Sequence, residues 1–117
     1  NLLFFALIFI GISGFARTVG LQKTITLQDN TTGSFLTVGQ VVYQPECYQD
    51  TAGIWHDVWK VEIMLFKDKS AYDSGFEKMR YRYEVQIDSQ GFNFSLDNVY
   101  NYCLTQPYFE GALKVTE

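Results

Sequence analysis

The stretch "YRYEVQIDSQGFNFSLDNVYNYC", Tyr81 to Cys103, decides how the rest of the chain is read. Its first half alternates Tyr81, Tyr83, Val85 and Ile87 against Arg82, Glu84 and Gln86, the period of a strand with one buried face. Its second half alternates Phe92, Phe94 and Leu96 against Asn93, Ser95 and Asp97. Between them "DSQG" (Asp88–Gly91) ends in a glycine that supplies the positive φ of a short hairpin turn. The stretch therefore predicts two strands joined by a turn.

Working outward, the chain keeps the same character. Leu21–Gln28 is Thr-rich and reads as an edge strand, and Asp29–Ser34 as a turn by composition. Phe35–Tyr43 is apolar on both faces, as for a strand inside a sandwich or at an interface, and Gly39 marks a bulge within it. Gln44–Trp59 reads as a long irregular connection carrying a Pro, a Gly, a Cys and two Trp. Lys60–Asp68 is a strong strand, Lys69–Met79 a polar loop or short helical turn, and a last strand begins after Pro107. The expected fold is all-β, an antiparallel β-sandwich of about seven strands with no helix after residue 20. One domain, residues 17–117, holds it, preceded by an apolar segment at residues 1–16 that is helical or signal-derived.

Composition limits the classes of function. Of 117 residues, 47% are apolar and 17% aromatic, and the aromatics sit with Val, Ile and Thr in short runs suited to half-buried sheets. Net charge is −4 and no window is strongly basic, which sets aside nucleic acid, since phosphate binding needs clustered Lys and Arg. A polybasic membrane-surface patch is set aside on the same ground.

The N-terminal "NLLFFALIFIGISGFARTVG" has an unbroken apolar block followed by small residues ending in Ala16. That is the layout of a secretory signal peptide, and the block is short of the roughly 20 residues that span a bilayer. The alternative is retention, as a membrane anchor or as a segment packed between subunits through Leu2, Phe5, Phe9 and Ile12. Secretion favours a disulfide between Cys47 and Cys103, the only two cysteines. Secretion also gives meaning to two Asn-x-Ser/Thr sequons, at Asn30 in the predicted turn and at Asn93 on the outward side of the predicted strand. An N-linked glycan is the expected modification.

Chemistry is sparse. The single histidine, His56 in "GIWHDVW", has no G-x-S-x-G elbow to serve, and no acidic cluster has EF-hand spacing. No catalytic residue, metal site or cofactor is predicted. Trp55, His56 and Trp59, with Tyr48 nearby, form instead a candidate binding or interface surface, the alternative being plain packing.

Val38-Gly39-Gln40-Val41-Val42, Asp88-Ser89-Gln90-Gly91-Phe92 and Pro107-Tyr108-Phe109 follow one another in an order that resembles the nematode transthyretin-like secreted proteins. The chain departs from their pattern in the place of Cys47 and in lacking their late His-x-Cys. The resemblance implies a secreted transthyretin-type sandwich with a binding or bridging role and no catalytic residues.

Two functions are expected. The first is a non-enzymatic extracellular structural subunit, glycosylated and self-assembling into a filament or matrix through its apolar N-terminus and edge strands. The second is a soluble secreted binding module that presents its aromatic loops to a ligand or receptor.

Overall fold

The computed structural model describes residues 17–117. The apolar segment, with Leu2, Phe5, Phe9 and Ile12, lies outside the described residues.

The described chain is mostly antiparallel β. Five strands form one sheet: β1 (Thr18–Thr26), β2 (Thr32–Gln49), β3 (Trp55–Phe66), β4 (Tyr83–Asp88) and β5 (Leu113–Thr116), in the spatial order β4-β3-β2-β1-β5. Two α-helices join them, α1 (Lys69–Asp73) and α2 (Leu96–Leu104), with a 3₁₀ turn at Pro107–Phe109. The expected seven-stranded sandwich is thus reduced to one sheet among the described residues, and the sequence shows why. The inner face carries Leu21, Leu36, Val61, Ile63, Leu65, Val85 and Ile87, all buried. The opposite face carries Lys60, Glu62, Glu84 and Gln86, which need no second sheet to cover them.

What covers the inner face is the second half of the deciding stretch, which is not a strand. Leu96, Val99, Tyr100, Cys103 and Leu104 recur at the i, i+3, i+4, i+7, i+8 spacing of one helix face. Val99, Tyr100 and Cys103 are buried against the sheet with Phe109. Ser95 caps the helix, its hydroxyl accepting the Asn98 N–H at 3.1 Å, so the residue that completes the Asn93 sequon also starts α2. In the first turn Asp97 accepts the Thr18 hydroxyl at 2.6 Å and fastens the helix to β1. The last predicted strand is likewise shorter than expected, because Pro107–Phe109 turns as a 3₁₀ helix and pairing resumes only at Leu113.

Phe35–Val38 is covered on both faces, whereas Val42 and Tyr43 further along the apolar run are exposed. Leu36 faces α2, while Phe35 packs on the other side against Phe66 and the Tyr72 ring of α1, 5.2 Å away. Only a glycine at position 20 lets the Phe35 ring lie on β1: a Cβ there would fall 2.4 Å from Phe35 Cζ and 2.7 Å from the Leu36 carbonyl oxygen.

The β1–β2 ladder stops at Leu21↔Leu36, and two pairs further on Val19 and Val38 are bridged by a side chain. The buried Tyr100 hydroxyl accepts the Val38 N–H at 2.9 Å and donates to the Val19 carbonyl at 3.3 Å. Two backbone groups that would otherwise pair with each other are satisfied by α2.

Candidate functional site

The predicted irregular connection Gln44–Trp59 is instead a β-ribbon. β2 runs for 18 residues and stays paired with β3 to Gln49↔Trp55. β4 stops at Val58↔Asp88, so beyond that pair the ribbon leaves the sheet as a two-stranded arm. Two irregularities shape it. One extra β2 residue between Val38 and Val41 makes the bulge expected at Gly39. Two more between Gln44 and Tyr48 hold Pro45, which offers no ladder N–H, and Glu46, at φ 49°.

Asp57 holds that second bulge closed. Its Oδ1 accepts the Glu46 N–H at 2.8 Å and its Oδ2 the Tyr43 hydroxyl at 2.6 Å. These two bonds, Tyr43 first, depress the Asp57 carboxyl, and the same contact raises the Tyr43 phenol.

At the tip, Asp50 organises the turn Asp50–Ile54. Its Oδ1 accepts the Ala52 and Ile54 N–H groups at 2.9 Å each, with Gly53 at φ 83°. Its Oδ2 lies 2.7 Å from His56 Nε2. The other ring nitrogen, Nδ1, lies 2.6 Å from Asp88 Oδ2 at the end of β4. Only a doubly protonated imidazole donates to both carboxylates. Accordingly the His56 pKa is raised, by Asp50 first and then Asp88 against the opposing effect of burial, while Asp50 is lowered chiefly by His56. Asp88 is lowered first by the Gln90 N–H and then by Tyr48 and His56. Tyr48 stacks on the imidazole at 4.8 Å and 3°, and its hydroxyl donates to Asp88 at 3.1 Å. With both ring nitrogens occupied, His56 has none to offer a substrate as a base; it works here as a clasp.

The predicted surface residues divide. Tyr48 and His56 meet in the clasp. Trp59 sits at the base of the arm, against Tyr43 at 4.8 Å and Phe94 at 4.4 Å. Trp55 is 55% exposed at the tip beside Ile54 at 58%, an apolar pair presented to solvent. Asp50, Asp57 and Asp88 were missed, because cross-strand register brings Asp88 to His56 across 32 residues. The local signal was the Asp-x-x-Gly turn at Asp50–Gly53, flanked by aromatics.

The expected disulfide does not form: Cys47 and Cys103 are both free thiols. Cys47 is half-buried on the arm's second bulge, whereas Cys103 points from α2 into the core. Burial pushes the Cys103 thiol up to about 11. Both sequon asparagines are exposed, Asn30 in the β1–β2 turn at φ 68° and Asn93 in the loop before α2. Among the described residues no group of three or more His, Cys, Asp or Glu side chains is placed to hold a metal ion, and no helix is long and apolar enough to cross a membrane.

Comparison with protein-family models, curated proteins and solved structures finds no match to this chain. The likeness to the transthyretin-like proteins rests on the sequence motifs alone.

Proposed function

We propose that this chain is a non-enzymatic, secreted and glycosylated β protein that works by self-association, with the β2–β3 arm as the contacting element. The observation that carries the reading is the exposed Ile54–Trp55 pair on a ribbon braced by the Asp50–His56–Asp88 clasp. Aromatic side chains on a pre-ordered support are what interface hot spots are made of, because little freedom is lost on contact. The non-enzymatic part is supported by the engagement of the only histidine on both nitrogens.

Sedimentation velocity over a hundredfold range of concentration tests it, comparing the wild-type chain with Trp55→Ala. The wild type is expected to gain mass with concentration and the variant to stay at the size of one chain. A wild type that never exceeds one chain, or a variant that associates equally, removes the proposal.

The second reading, a binding module for a different ligand or receptor, is favoured by the same tip. It predicts a monomer at every concentration.

A further inference from the structure

The arm leaves the sheet where β2 ends and β3 begins. At the opposite end of the same sheet, the β1–β2 turn and the segment leading into β4 enclose an open cleft of about 530 Å³. Its floor is apolar: Leu27 and Met79, with Tyr81, whose hydroxyl is held by Tyr108. The Met79 N–H donates to the Leu65 carbonyl at 2.8 Å, which fixes the cleft's wall to β3. Arg80 and Arg82 stand exposed on its rim, and neither has an ion-pair partner among the described residues. Asp29 also borders it, with Oδ1 taken by the Thr31 N–H and hydroxyl. Within the cleft two arginines thus meet one carboxylate, while Glu62, Glu77 and Lys78 border the same arginines on the adjoining surface.

The arm is the complement of this cleft. Its tip is apolar, Ile54 and Trp55, and behind the tip stand four carboxylates, Glu46, Asp50, Asp57 and Asp88, against one imidazole. We infer that the cleft receives the arm of a second copy of this chain, with Trp55 on Leu27, Met79 and Tyr81 and the two arginines reaching the carboxylates behind it. This deepens the self-association reading and rests on it. Arm and cleft are different surfaces at opposite ends of one sheet, so when two copies join through one such contact one keeps its cleft free and the other its arm. Such a contact propagates head to tail. Guanidinium groups suit it, since an arginine pairs with carboxylates bidentately and packs on aromatic rings.

The test mixes two broken copies. Trp55→Ala keeps the cleft and loses the arm; the double variant R80E/R82E keeps the arm and loses the cleft. R80A/R82A serves as a second cleft variant, and thermal melting confirms that each is folded. Each change is expected to weaken association about 30-fold or more, the effect of removing an aromatic or arginine hot spot. By sedimentation velocity each variant alone is expected to stay at one chain, and the mixture to form dimers and nothing larger. A mixture that stays at one chain overturns the pairing. If R80E/R82E and R80A/R82A assemble like the wild type while Trp55→Ala does not, the arm keeps its role and the cleft is not its receptor. If the wild type never associates, both readings fall together.

Discussion

His56 Nδ1 lies 2.6 Å from Asp88 Oδ2, and through this contact the free end of the arm is tied to the last residue of β4. Asp50 closes the other side of the ring at 2.7 Å. Tyr48, stacked on the imidazole, is the remaining titratable neighbour, and Asp57 adds negative charge beyond Asp88.

The clasp gives the arm a pH window. The His56 pKa is raised above 6.5, so its contribution is complete below that value and is lost as pH climbs through the raised pKa. The Asp50 and Asp88 pKa values are lowered from 3.8, so theirs is complete above 3.8 and is lost as pH falls through the lowered values. The arm is therefore best ordered between pH 3.8 and 6.5. As the only histidine, His56 gives one unambiguous imidazole signal in an NMR titration, and its midpoint is expected above 6.5. The midpoint should fall in Asp88→Asn. A wild-type midpoint at or below 6.5 contradicts the clasp.

The thiols should differ in reactivity. Native protein treated with an alkylating reagent at neutral pH is expected to label Cys47 and spare Cys103, which is buried and has its thiol pushed up to about 11. Unfolding should release the second site without any reductant. Mass spectrometry reads both, and a chain that takes up no label until it is reduced has a disulfide after all.

Tyr100→Phe should cost about 1–3 kcal/mol, since it leaves the Val38 N–H and Val19 carbonyl without the hydroxyl that bridges them. Tyr102→Phe, whose hydroxyl reaches the Gln86 carbonyl at only 3.5 Å, should stay within about 0.5 kcal/mol. Urea unfolding separates the two, and equal costs would show that the bridge is not what holds the ladder's open end.

How much of this was legible in the residues depends on whether the deciding pattern was local. Val85–Ile87 reads as a strand and is one, and Gly39 sits at the bulge expected of it; Gly91 takes the positive φ expected, 74°, but its turn leads into a loop and α2 and not into a hairpin strand. Phe92–Leu96 misleads because three alternating apolar residues fit period two as well as they fit the approach to a helix. The decision lay eight residues further on, in the spacing from Leu96 to Leu104. The arm was hidden for a different reason: Pro45 and Glu46 break the alternation of β2 at a bulge, so the strand beyond them looks irregular. The clasp is non-local altogether, since Asp88 reaches His56 only once β3 and β4 have paired.

Asn30 stands in the turn that forms one wall of the cleft, whereas Asn93 lies in the loop ahead of α2. If Asn30 carries glycan, enzymatic deglycosylation is expected to strengthen association, and Asn30→Gln to reproduce the effect. The same treatment of a chain glycosylated only at Asn93 should leave its association unchanged at the cleft. Light scattering before and after treatment reads this. Association that is indifferent to sugar at Asn30 would mean that the cleft is not a contact surface.

The most direct measurement is acrylamide quenching of tryptophan emission across protein concentration, with Trp55→Phe as control. Trp55 is 55% exposed in a single chain, while Trp59 is sheltered by Tyr43 and Phe94. The readily quenched fraction of the wild type is expected to fall as concentration and mass rise together, and to be small and constant in Trp55→Phe. A quenched fraction that stays constant while mass rises would place the contact elsewhere on the molecule and contradict the account.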